Sequence, residues 1–94
     1  MSEGIYEAMV INNLNEMAPL FSLNQREFLK AVDFARRLGW QSAKPSSIAL
    51  AIIRLIKPEI SNKTFYKVGK IEYKTLKKWT ILCAHDLHVG QPYF

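Results

Sequence analysis

Cysteine is almost missing from this sequence: Cys83 is the single one in 94 residues. A lone cysteine excludes an internal disulfide and a cysteine-rich zinc site, and it points to a reducing compartment. Glycine and proline are scarce as well, four of each, which leaves most of the chain for regular structure. No apolar run reaches the roughly 18 residues of a membrane span; the longest, Ile48 to Ile56, is interrupted by Arg54. The amino terminus, Met1-Ser-Glu-Gly, is acidic and has no basic region leading into an apolar run, so no secretory signal is expected. These absences predict an intracellular protein, in cytoplasm or nucleus, with no membrane partner.

Acidic residues are lacking in one particular stretch. Between positions 57 and 78 stand Lys57, Lys63, Lys67, Lys70, Lys74, Lys77 and Lys78, opposed only by Glu59 and Glu72. That stretch carries +5, equal to the net charge of the whole chain. A solvated helix face usually mixes both signs, and a lysine-rich solvated surface is the plain alternative. A one-signed segment suits an acidic partner, most often a nucleic-acid backbone.

The balance of 49% apolar and 22% charged residues is that of a globular domain rather than a disordered chain. Ninety-four residues suffice for one helical domain with a core of its own. Period and punctuation divide the chain into five helices. The first runs from about Ile5 to Met17, with Ile5, Met9, Val10, Leu14 and Met17 recurring at helical spacing before Pro19. The second is capped by Ser22 or Asn24 and presents Phe28, Leu29, Val32, Phe34, Ala35 and Leu38 as an apolar face, with Gly39 as its stop. After a short connection at Trp40 to Ala43, Pro45 suits the first turn of a third helix. That helix, Ser46 to Ile56, is apolar nearly all round and is expected to be the buried centre. Pro58 ends it, and Ser61 caps a fourth helix to about Val68 that turns Phe65 and Val68 inward. Gly69 and Lys70 form the next turn. The fifth helix, Glu72 to Leu87, has an inner stripe of Leu76, Trp79, Thr80, Cys83 and Leu87, leaving Lys74, Lys77, Lys78 and Ile81 outside it. The domain spans residues 1–90 and a short tail follows at 91–94.

The last two helices and their short turn make a helix-turn-helix arrangement. The second helix of such a unit can enter the major groove, its amino-terminal residues meeting base edges while flanking groups hold phosphates. Helix five opens with Glu72, Tyr73, Lys74, Lys77 and Lys78. Lysines on consecutive turns suit phosphates or guanine edges, Tyr73 could pack on a sugar or base, and Lys63, Lys67 and Lys70 would flank the backbone.

From Ala43 to Leu87 the chain resembles the second half of a cyclin-like repeat of the transcription factor IIB family, which includes the archaeal transcription factor B proteins. The carrying residues, in order, are Lys44-Pro-Ser-Ser-Ile-Ala-Leu-Ala-Ile-Ile, Ser61-Asn-Lys-Thr-Phe, Val68-Gly-Lys-Ile and Glu72-Tyr-Lys-Thr-Leu-Lys. Ser22 to Leu38 fits the helix that precedes them. The resemblance implies an all-α, five-helix cyclin-like domain whose last two helices are a DNA-binding helix-turn-helix. Carried over residue by residue, it implies Tyr73, Lys74, Thr75, Lys77 and Lys78 at DNA, with Lys63 on the backbone. It also implies TATA-binding protein or RNA polymerase as protein partners. The family has two repeats and a zinc ribbon, whereas this sequence has one repeat and one cysteine, and its turn glycine is shifted by about one position to Gly69. A regulator or accessory factor is therefore expected rather than a full initiation factor, and a homodimer would restore the two-repeat layout.

Other chemistry is thinly represented. His85, Asp86 and His88 share a helix end but lack a third or fourth ligand with convincing spacing, so no metal and no cofactor are expected. Cys83 has no base at nucleophile spacing, the acids are scattered, and no phosphate-cradling glycine loop is present. An enzyme is not expected. Trp40 and Trp79 read as core aromatics, and the Tyr93-Phe94 pair either folds back on the domain or docks on a partner. The functional expectation is a DNA-binding transcription regulator, the competing one a protein-interaction module.

Overall fold

The computed structural model describes residues 2–39, 42–92 and 94, with the backbone alone described at residues 2 and 3. The chain forms five α-helices, and no strand occurs among the described residues: α1 Ser2–Met17, α2 Gln25–Arg37, α3 Pro45–Ile56, α4 Asn62–Gly69 and α5 Tyr73–Leu87. Local chemistry accounts for their limits. Asn24 and Glu27 make a reciprocal capping box at the start of α2, which satisfies two otherwise orphaned donors. Pro45 opens α3, where its missing N–H costs nothing. The Ser61 hydroxyl accepts the Thr64 N–H at the start of α4.

α3 is the hub, packing against α1, α2 and α5. Ile48 through Ile53 are all buried, and the fully enclosed Ala49 and Ala51 let neighbouring helices approach closely. Val10 and Leu14 reach this core from α1, Ala31, Phe34 and Ala35 from α2, Phe65 from α4, and Leu76, Cys83 and Leu87 from α5. Phe21, in the connection after α1, stacks on Phe65 with ring centroids 4.9 Å apart. Polar ties close the remaining seams. Tyr6 Oη donates to the Ala43 carbonyl at 2.9 Å, and Arg37 Nη2 donates to the Leu87 carbonyl at 3.0 Å, neutralising part of the α5 carboxyl end.

Several residues depart from their expected places. Ile5 and Met9 follow the helical period, yet they are exposed; the face of α1 that meets α3 is set by Val10 and Leu14. Leu29 is 58% exposed, because the buried side of α2 is Ala31, Val32, Phe34 and Ala35. Val68 points outward rather than inward. The residue of α4 that faces the core one turn after Phe65 is Gly69, not Val68. A Cβ on Gly69 would stand 2.8 Å from Leu50 Cδ2 and 3.4 Å from Phe21 Cζ. Gly69 is therefore the last residue of α4, held there by close approach to α3, and it does not supply the left-handed turn residue. Lys70 does so instead, with φ 57°. Gly39 likewise is not left-handed; α2 ends through an extended Leu38. Trp79 is only partly buried, at the margin of the core. The expectations for Trp40 and Tyr93 fall outside the described residues.

Candidate nucleic-acid interface

The basic segment folds into α4, the turn Lys70–Glu72 and the first half of α5. α5 is oriented by its inner residues Leu76, Thr80, Cys83, Ala84 and Leu87, which are buried against the hub. Thr80 spends its hydroxyl on the Leu76 carbonyl at 2.6 Å, so it takes no part in the outer surface. This fixes Tyr73, Lys74, Lys77 and Lys78 on the opposite side, where together with Ile81 they line one shallow hollow. Lys67 and Lys70 line a second hollow with Tyr66. Lys63 is exposed in the first turn of α4 and belongs to neither hollow, and Thr75 is half-buried at the edge of the α5 surface.

The electrostatics of this surface are one-sided. Among the described residues, the ion pairs are Arg36–Glu7, Arg37–Asp33, Lys57–Glu27 and His85–Asp86. None involves Lys63, Lys67, Lys70, Lys74, Lys77 or Lys78. Two of the six meet aromatic faces. Lys78 Nζ lies 4.7 Å from the Trp79 ring centre, and Lys77 Nζ lies 5.9 Å from that of Tyr73 and 6.0 Å from that of Phe94. Such contacts hold a side chain in place without cancelling its charge. Glu72 occupies the N-cap position of α5 but makes no capping hydrogen bond.

Two residues of this region, Tyr66 and Arg54, were not assigned to it from the sequence, and for Phe94 the sequence left open whether it folds back or docks on a partner. Tyr66 is 63% exposed between Lys63, Lys67 and Lys70; its helical spacing from those lysines was the available signal. Phe94 folds back, its ring 5.9 Å from that of Tyr73 in an edge-to-face arrangement. No local pattern marks that contact. Arg54, which interrupts the apolar run of α3, is 3% exposed. Its guanidinium donates from Nη1 to the Pro58 carbonyl at 2.8 Å and from Nη2 to Asn62 Oδ1 at 2.6 Å, tying the end of α3 to the start of α4. Burial pulls its pKa below the usual arginine value, and the nearby Tyr73 phenol opposes that shift.

Elsewhere the groups with chemical potential are quiet. Burial pushes the Cys83 thiol up to about 12, with Asp86 adding to the effect, so the nucleophilic thiolate is strongly disfavoured. Among the described residues, no three His, Cys, Asp or Glu side chains are placed to hold a metal ion, and no helix is long and apolar enough to cross a membrane. A separate hollow between α1 and the start of α3 is lined by Ile5, Ala8, Met9, Asn12, Asn13, Lys44, Pro45 and Ser46. Comparison with known protein families, characterised proteins and solved structures gives no match to this chain.

Proposed function

We propose that this chain is a DNA-binding regulator or accessory factor of transcription, with α4 and α5 acting as a helix-turn-helix and α5 as the basic helix that enters a groove. The observation that carries the reading is the placement of Lys74, Lys77 and Lys78 on the first two turns of α5, exposed and without ion pairs among the described residues. Lys74, in the first turn, opposes the macrodipole at a typical cost of about 0.3–1 kcal/mol at low salt, and Lys77 and Lys78 extend the positive charge into the second turn. The Lys74 position is thus unfavourable for the helix alone, and an anionic ligand at that end turns the same arrangement favourable. Lys70 adds to the argument. A lysine in the left-handed region costs about 1–2 kcal/mol where glycine would cost little, and this one stands beside Lys67 at the surface.

In this reading Lys63, Lys67 and Lys70 hold phosphates beside the groove, and Tyr73 and Thr75 lie where α5 approaches sugar or base. The protein acts without enzymatic chemistry, in the cytoplasm or nucleus, and the domain is of the cyclin-like type that its sequence resembles. Fluorescence anisotropy on a random-sequence duplex tests it, comparing the wild type with a Lys74→Ala/Lys77→Ala/Lys78→Ala variant. Binding that the triple change abolishes supports the reading, and equal binding by both proteins contradicts it.

A second reading has one specific observation in its favour. Ile5 and Met9, 61% and 44% exposed, join Ala8 and Pro45 in an apolar hollow between α1 and the start of α3. Such a patch suits a protein-interaction module, with TATA-binding protein or RNA polymerase as the partners implied by the sequence resemblance. Binding of purified TATA-binding protein, lost on Ile5→Asp/Met9→Asp and retained by the triple lysine variant, is the outcome that would favour it.

A further inference from the structure

Among the described residues, Arg54 is a charged group without a counter-charge. It is 3% exposed, no carboxylate among the described residues pairs with it, and its Nε–H has no hydrogen-bond partner. Leaving a buried donor unsatisfied is costly, more so when the group is charged. The structural duty of Arg54, clamping Pro58 to Asn62, uses Nη1 and Nη2 and leaves Nε–H idle. The guanidinium lies between two rings. Phe65, 4.6 Å away, is a fixed part of the core, whereas Phe94, 5.7 Å away, comes from the carboxyl-terminal segment beyond α5. The same Phe94 ring touches Tyr73 and Lys77, two residues of the basic surface.

We infer that Arg54 is a latent phosphate-binding position closed by Phe94. This rests on the nucleic-acid reading of the adjoining surface and adds a residue and a regulatory step to it. When the Phe94 ring swings aside, the guanidinium opens beside Lys77 and the Tyr73 hydroxyl. Its free Nε–H then donates to a phosphate oxygen. Arginine suits this role because its fork keeps two donors on the fold while a third meets the ligand. Phe94 is a cover that a bound phosphate displaces.

The test uses the full chain, wild type and Phe94→Ala, titrated with a random-sequence duplex at several salt concentrations and separately with inorganic phosphate. The Arg54 Nε–H signal is followed by NMR. Phe94→Ala is expected to bind the duplex roughly tenfold tighter, the scale of the cation–π contact that only the wild type must break. Its log–log salt slope should match that of the wild type, because Arg54 engages the same phosphate in both complexes. The Arg54 signal should shift on adding duplex to either protein, and on adding inorganic phosphate to Phe94→Ala. Should Phe94→Ala unfold, the duplex-induced shift of Arg54 in the wild type remains the readout. Duplex binding with an unmoved Arg54 signal, or weaker binding by a folded Phe94→Ala, overturns the Arg54 site and leaves the duplex reading standing. An Arg54 shift with inorganic phosphate but no duplex binding by either protein keeps the site, assigns it to a free phosphate, and removes the duplex reading.

Discussion

The α3 hub and the α4–α5 edge are neighbours that obey opposite rules. In the hub, Ile48 through Ile53 are sealed from water and small residues set the helix spacing. On the edge, two lysines occupy positions that helix electrostatics or backbone geometry disfavour: Lys74 in the first turn of α5 and the left-handed Lys70 after α4. The hub reads as a solution to folding alone. The edge retains features that folding alone does not call for, and the proposed DNA-binding role rests on that difference.

The comparison is sharpened first by breaking the hub. Phe65→Ala removes a fully buried ring that packs on Phe21 and carries the Arg54 guanidinium. A loss of about 3–5 kcal/mol is expected from urea unfolding. Gly69→Val strikes the seam between the regions, where even a methyl carbon crowds Leu50 and Phe21; a loss of about 1–3 kcal/mol from overpacking is expected in the same assay. Lys70→Gly should separate the two regions by sign. Relief of the left-handed backbone should raise stability by up to about 1 kcal/mol, while duplex affinity falls. A stability loss on Lys70→Gly would contradict the claim that this lysine is held against the preference of its backbone.

The smallest effect at neutral pH belongs to Cys83. Its thiol ionises at about 12 in the fold against 9.0 ordinarily. Ionisation thus favours the unfolded chain, and stability should decline as pH rises from about 9 towards 12. The decline should be shallower in Cys83→Ala. At pH 8 the native thiol should resist alkylation and react only on unfolding.

Much of the architecture was legible because its determinants are local. Pro45, Pro58, Ser61 and the Asn24–Glu27 box mark helix limits through near-neighbour chemistry. The inner stripe of α5 followed from period alone, apart from the half-buried Trp79. What was not legible depends on contacts between distant segments. The expected inward Val68 and turn-forming Gly69 were transposed in role, because the space beside Leu50 decides which of the two faces the core. Leu29 looked like core by hydropathy and is exposed because α2 turns the side carrying Ala31, Val32, Phe34 and Ala35 to the core. The lysines of the candidate interface were visible as a charge run. The role of Arg54 was not, since a lone arginine in an apolar helix does not disclose its partners; Phe94 stood out as a tail aromatic, but nothing near it in sequence chooses between folding back and docking or announces a contact with Tyr73.

The most direct test of the central claim is the salt dependence of duplex binding by the wild-type chain. Six lysines on one edge predict a steep linear fall of log affinity with log salt, with a slope of about −0.9 for each phosphate engaged, and a much shallower line for the Lys74→Ala/Lys77→Ala/Lys78→Ala variant. A flat dependence, or the same slope in both proteins, would contradict the assignment of this edge to DNA.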